Sequence, residues 1–204
     1  SLNEKKISEL LQKRYDFAKI NTWEVRANLI EDELFDLYPM VSIIIVSFNN
    51  LEVTKLCLES IQKNTSYPNY EIIIVDNGSD DQTVTYLVET QTTTYDIHIF
   101  FNDSNLGFAK AANQGAKTAN GEYFIFLNND TVVSPGWIHR LLWQLSSQGE
   151  TGMVGPVSNG VSNEAKITVD YQDATILNVN KYAAKQARVH FGQSFEIDVL
   201  ALFC

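Results

Sequence analysis

With 204 residues, 45% of them hydrophobic and only four proline, the chain can bury one sizeable core and has the composition of a folded protein. Fifteen basic side chains stand against twenty-five acidic ones, a formal charge of −10, so nucleic acid would meet repulsion over most of the surface and is excluded as an expected partner. The two cysteines, Cys57 and Cys204, cannot build a disulfide framework or a zinc site, and a reducing cytoplasm fits them best.

In chain order, residues 3–37 come first. Ile7, Leu10, Leu11, Tyr15 and Ala18 recur there at helical spacing among Lys, Glu and Gln, which predicts one or two amphipathic helices. This segment, 1–38, carries no chemistry and reads as a helical extension or linker of a larger polypeptide. No apolar run reaches the roughly 18 residues of a membrane span, and the opening SLNEKKISELLQKRY lacks the apolar core of a signal peptide.

Beyond Pro39 the pattern changes to four short apolar runs, at 41–48, 70–77, 97–101 and 123–128, separated by segments of helical character. Each run is β-branched or aromatic and nearly continuous, as in parallel strands buried on both faces. The predicted architecture for 39–204 is therefore α/β: a Rossmann-like, mostly parallel sheet flanked by helices. Right-handed crossovers then bring all four strand ends to one edge of the sheet, where such folds bind ligands. Further on, a helix is predicted at 137–145 and another at 179–188, with a weak strand at 167–169.

The four strand ends are polar: Ser47-Phe48-Asn49-Asn50, Asp76-Asn77-Gly78-Ser79, Asn102 through Gly107, and Asn128-Asn129-Asp130. Any one of them reads equally well as a turn and helix cap. All four on one edge point to a site. Asp130, ending a stiff strand, suits a hard cation such as Mg²⁺ or Mn²⁺ shared with phosphate oxygens. A metal of this kind lets an acidic protein take a nucleoside diphosphate.

Asn129 has an amide to offer a ribose or phosphate oxygen, and Asp76 can accept from base or ribose donors. Asn77-Gly78 permits a tight turn, and Asp80 and Asp81 read as first-turn acids of the next helix. Lys110, three residues after Gly107 and close to Asn113, is within reach of a phosphate at a helix start. Neither GxGxxG nor GxxxxGK[ST] occurs, which argues against a dinucleotide-dependent dehydrogenase and a P-loop NTPase. His98, His139 and His190 show no ligand spacing.

Taken together, SIIIVSFNN, EIIIVDNGSDDQT, NLGFAKAANQGAKTANGEYFIFLNND and PGWI resemble the nucleotide-sugar-binding half of family 2 glycosyltransferases of the GT-A fold, particularly the rhamnosyltransferase-like branch. The match spans about residues 41–157. The resemblance implies donor contacts at Ser47, Phe48, Asn49, Asp76, Asn105, Gly107, Lys110, Asn113 and Asn129, with Ala109 in the same motif.

It also implies a metal ligand at Asp130, although the family's Asp-x-Asp stands here as Asn128-Asn129-Asp130. The implied activity is transfer of a sugar, with inversion, from a UDP- or dTDP-linked donor to a saccharide or other hydroxyl acceptor, as in polysaccharide biosynthesis. The general base is expected beyond LALFC, at 200–204, because Glu196 and Asp198 lie too early to match it. Two other readings stand beside this one. A non-catalytic nucleotide-sugar-binding or scaffold module keeps the fold without the chemistry. A nucleotidyltransferase would need a basic, glycine-rich loop that FNNLEVTK does not supply.

Overall fold

The structure is a computed structural model that describes residues 2–35, 37–93, 97–147 and 149–198. By its internal contacts the chain divides into two compact units, Ser1–Pro39 and Met40–Cys204. The first consists of two helices, α1 (Leu2–Ile20) and α2 (Trp23–Phe35). Thr22 caps the second of these, its hydroxyl accepting from the Val25 amide at 3.2 Å.

The second unit runs β1 (Val41–Ser47), α3 (Leu51–Asn64), β2 (Tyr70–Asp76), α4 (Thr83–Thr93), β3 (Ile97–Phe101), α5 (Phe108–Thr118), β4 (Tyr123–Asn128), α6 (Trp137–Ser147) and α7 (Ile176–Val189). The four predicted strands are present to within one residue. All are parallel and lie in the order β3-β2-β1-β4. Helix α4 begins at Thr83, so Asp80 and Asp81 precede it and are not in its first turn.

The expected strand at 167–169 does not form. A single bridge joins Ser158 to Lys166, and the Ile167 amide donates to the Ser158 carbonyl at 2.9 Å. One short pairing without a neighbouring strand is too little to hold an extended ladder.

Burial separates the strands. Every residue of β1 is buried, and so is all of β2 after Tyr70, which is why they read as continuous Ile/Val runs. The outer strands alternate between buried and open positions, with His98 exposed on β3 and Phe124 on β4. The expectation of two covered faces holds for the centre of the sheet and not for its edges.

Helix α5 lies flat on one face. A Cβ built on Gly115 would stand 2.7 Å from Ile44 Cγ2, so only glycine lets the helix approach this closely. Ala111 and Ala112 pack there with Val46 and Val75, and Phe100 and Phe126 close the cluster. Right-handed crossovers assign α3 and α4 to the opposite face, because the path from β3 back to β4 reverses direction across the sheet.

At the amino-terminal edge a buried carboxylate ties the sheet together. Glu71 accepts from Ser42 Oγ at 2.6 Å, from the Asn120 amide at 2.6 Å and from Asn120 Nδ2 at 3.2 Å, while Ser42 Oγ accepts from the Gly121 amide. Burial pushes the Glu71 carboxyl up, but these hydrogen bonds and nearby His98 outweigh it and hold the group below its ordinary value.

A depressed folded-state value means the stabilisation is present above the unfolded glutamate range and is lost as pH falls through the folded value. Glu71→Gln is therefore expected to cost about 1–3 kcal/mol at neutral pH. The wild-type advantage should fade below about pH 4.5. Urea unfolding of both proteins at neutral and acid pH checks this, and a pH-independent gap between them would contradict it.

Candidate functional site

The parallel order brings the carboxyl ends of all four strands to one edge. Register places Ser47 beside Asp76, and Val46 beside both Val75 and Asn128. From β1 the chain passes to β2 on one side, whereas β4 lies on the other, so the connections diverge between β1 and β4. A crevice at such a divergence is where open α/β sheets take their ligands. Loop 47–50 flanks it on one side and loop 128–130 on the other.

The loops are locked to one another by side chains. Asn49, in the left-handed region at φ 55°, donates its amide to Ser79 Oγ at 2.7 Å, and its Oδ1 accepts from the Asp80 amide at 2.9 Å. Ser79 in turn serves Asp76, its amide donating to Oδ2 at 3.0 Å and its hydroxyl to Oδ1 at 2.5 Å. Hydrogen bonding, chiefly from Thr83 and also from the nearby backbone of Leu51 and Asn50, holds the Asp81 carboxyl below its ordinary value, and the Thr83 amide, donating to Asp81 Oδ1 at 2.8 Å, ties it to the start of α4.

Asn77, 2% exposed, is the centre of the arrangement. Its amide donates to the Ser47 carbonyl at 2.7 Å and its Nδ2 to Asn105 Oδ1 at 2.9 Å. Its Oδ1 accepts from Asn102 Nδ2 at 3.2 Å and from the Leu106 amide at 3.0 Å. One residue thus joins the ends of β1, β2 and β3, its backbone amide bonding β1 and its side chain the loop after β3. Gly78 follows at φ 85°, and a Cβ there would lie 2.7 Å from the Ser104 backbone, which explains the glycine twice over.

The β4 end is anchored differently. Thr54, Cys57, Ser60 and Asn64, all buried, form a polar stripe along α3. Asn129 Nδ2 donates to Thr54 Oγ1 at 2.9 Å, and the Cys57 thiol to the Asn128 carbonyl at 3.7 Å. Ser60 Oγ accepts from the Val133 amide at 3.1 Å, and Asn64 Nδ2 donates to the Val133 carbonyl at 2.8 Å. This stripe fixes the backbone on both sides of Asp130. The three-to-four-residue spacing of small polar groups on a buried helix face was the available signal, and motif reading passed over it.

The sequence-derived residues fall into three groups. Phe48, Asn105, Gly107 and Asp130 lie exposed on the loops of the edge. Asp130 has no hydrogen bond or ion pair among the described residues, so its carboxylate is unengaged. Lys110 and Asn113 line a groove of about 530 Å³ along α5, together with Leu106 and Lys117.

Ser47, Asn49, Asp76 and Asn129 form the third group: the side chains of Asn49, Asp76 and Asn129 are hydrogen-bonded within the protein, and that of Ser47 is enclosed by it. Ser47 is fully buried with an unpaired hydroxyl, Asp76 is 1% exposed, and the Asn129 amide is turned to α3 instead of outward to a ribose or phosphate. The side chains of Asn49, Asp76 and Asn129 brace the loops. The expected general base beyond residues 200–204 lies outside the described residues.

No group of three or more His, Cys, Asp or Glu side chains converges among the described residues. A lone open carboxylate does fit a cation such as Mg²⁺ that keeps several waters and takes its remaining ligands from a bound phosphate. Among the described residues no helix is long and apolar enough to cross a membrane.

Comparison with known proteins shows the family. Residues 42–203 match the profile of the family described as Glycosyl transferase family 2. The chain belongs to glycosyl transferase family 2. It is 32% identical over 117 residues to an uncharacterized glycosyltransferase of Haemophilus influenzae, covering 57% of this chain and 36% of that protein. It is 28% identical over 150 residues to the glycosyltransferase AglE of Haloferax volcanii, covering 72% and 49%.

Among solved structures, the mannosyltransferase PcManGT from Pyrobaculum calidifontis in complex with GDP-Man and Mn²⁺ shares 25% identity and a TM-score of 0.43 over 46% of this chain and 28% of that one. The chain spans about half or less of the length of these curated relatives.

Proposed function

We propose that this chain is the donor-binding portion of a glycosyltransferase, which holds a UDP- or dTDP-linked sugar at the carboxyl edge of its sheet and passes the sugar, with inversion, to a saccharide or other hydroxyl acceptor in the cytoplasm. The observation that carries the reading is the unengaged Asp130 carboxylate, held by a buried polar stripe beside the divergence of β1 and β4 in a family 2 member. Asp130 would hold Mg²⁺ or Mn²⁺. Such an ion supplies neutralisation of the charge that builds on a departing diphosphate.

The chain's own groups do the rest. Phe48, exposed beside the crevice, offers an aromatic face to a nucleobase. The Lys110 ammonium and the Asn113 amide supply a cation and donors for phosphate or sugar oxygens. Asn77, Ser79 and Asn49 keep the loops in place, so little ordering accompanies binding. No general base is assigned among residues 40–198.

Calorimetric titration of the chain with UDP and with dTDP, each with and without Mn²⁺, tests the proposal. Metal-dependent binding of either nucleotide is the expected result. Absence of binding under every condition would favour the second reading, a family 2 scaffold module, for which the presence of one open carboxylate where the family has Asp-x-Asp is the motivating observation.

A further inference from the structure

Thr54, in the first turn of α3, touches both walls of the crevice. Its hydroxyl donates to the Asn50 carbonyl, in loop 47–50, at 3.3 Å and accepts from Asn129 Nδ2, in loop 128–130, at 2.9 Å. A carbonyl only accepts, so the single hydroxyl proton is committed to Asn50 and the oxygen lone pairs are left for the Asn129 amide. A threonine in a helix commonly returns its hydroxyl to the carbonyl four residues back. The second bond, out to the β4 end, is not part of that local habit.

Loop 47–50 is held in a costly shape. Asn49 and Asn50 follow one another in the left-handed region, at φ 55° and 64°, and are the two non-glycine residues with positive φ among the described residues. Such backbone persists only where its surroundings over-determine it, and it clusters at sites that clamp ligands. Asn49 is clasped by Ser79 and by the Asp80 amide. Asn50 makes no side-chain cap of its own and is held through its carbonyl, by the amides of Val53 and Thr54 at 3.2 Å each and by the Thr54 hydroxyl.

On one wall Asn50 lies two residues from the exposed Phe48, and on the other Asn129 adjoins the open Asp130. We propose that Thr54 is a positioning residue whose hydroxyl sets the wall carrying Asp130 against the wall carrying Phe48. The assignment rests on the donor-site reading above. A cation on Asp130 and a nucleoside at Phe48 meet through one diphosphate, so the placement of the two walls decides how far each ligand favours the other. Thr54 is 1% exposed and touches neither ligand, so its effect falls on that coupling.

Calorimetric titration of the 204-residue chain with UDP and with dTDP, each with and without Mn²⁺, tests this in Thr54→Val, Thr54→Ser and the wild type. Valine keeps the shape and removes the hydroxyl. Without metal, affinity in Thr54→Val should match the wild type, because the bonds of Asn49 still hold loop 47–50. The strengthening of nucleotide binding by Mn²⁺ should fall about fivefold or more, as for loss of one hydrogen bond, and Thr54→Ser should restore it. Asn129→Ala should reproduce the fall, and the double variant with Thr54→Val should lose no more than the larger single change, since the two act through one contact.

A Thr54→Val chain with a lower thermal midpoint but the wild-type response to Mn²⁺ has lost only a structural bond, and overturns the proposal. Losses that add in the double variant also overturn it, because Asn129 would then act without Thr54. A wild-type chain whose nucleotide binding gains nothing from Mn²⁺ overturns the donor-site reading itself, and the proposal with it.

Discussion

Replacing Asn77 with leucine is expected to lower the stability of the unit from Met40 onward by about 2–4 kcal/mol, and to weaken nucleotide binding with it. Leucine is close in size, so the change removes polar partners and leaves little void. The Leu106 amide and Asn102 Nδ2 both lose the acceptor Oδ1, and Asn105 Oδ1 loses one of its two donors. Two donors in partly buried positions lose their acceptor at once while an apolar side chain fills a site that was polar, which is why one substitution carries so large an effect.

Urea unfolding should show a lower midpoint at unchanged slope, since the surface exposed on unfolding is the same. Asn102→Ala, which removes only one of these bonds from a half-buried position, should cost under half as much. If Asn77→Leu and Asn102→Ala were equal, Asn77 would not be the centre of the loop network.

This residue also marks the limit of what the sequence displays. The strands at 41–47, 70–76, 97–101 and 123–128 are legible because a strand covered by neighbours on both sides must be continuously apolar, and few other elements of that length are. The shared edge follows from the strands being parallel, which the alternation of strands and helices already implies. Which polar groups on that edge face a ligand and which face each other is a matter of side-chain direction, and composition does not encode it.

Asp76 and Asp130 look alike as acids that end strands. Yet Ser79, three residues on, wraps the first, while the stripe from Thr54 to Asn64 grips the backbone around the second and leaves its carboxylate open. Asn129 is the sharpest case, since its neighbour is exposed and its own amide points inward. Only the three-dimensional path of α3 past β4 separates the two. The missing strand at 167–169 has the same origin, because a strand exists only where another lies beside it.

Asp130→Ala should abolish the metal-dependent part of nucleotide binding and leave the fold untouched. The carboxylate is exposed and makes no hydrogen bond among the described residues, so its removal orphans nothing, and the thermal midpoint should move by less than about 1 °C. Loss of one charge-assisted contact of about 1.5–3 kcal/mol predicts nucleotide affinity in Mn²⁺ weaker by about ten- to a hundredfold, and no change without the metal.

Asp103→Ala is the matched control. That acid is also exposed, but it lies in the loop after β3, two strands from the divergence between β1 and β4. It should bind nucleotide like the wild type. Equal losses in the two variants would point to general electrostatics of an acidic edge, and no loss in Asp130→Ala would remove the metal from that position. The contrast with Asn77 follows from geometry: a side chain buried among the loops couples binding to stability, whereas one held at their rim by its backbone changes binding alone.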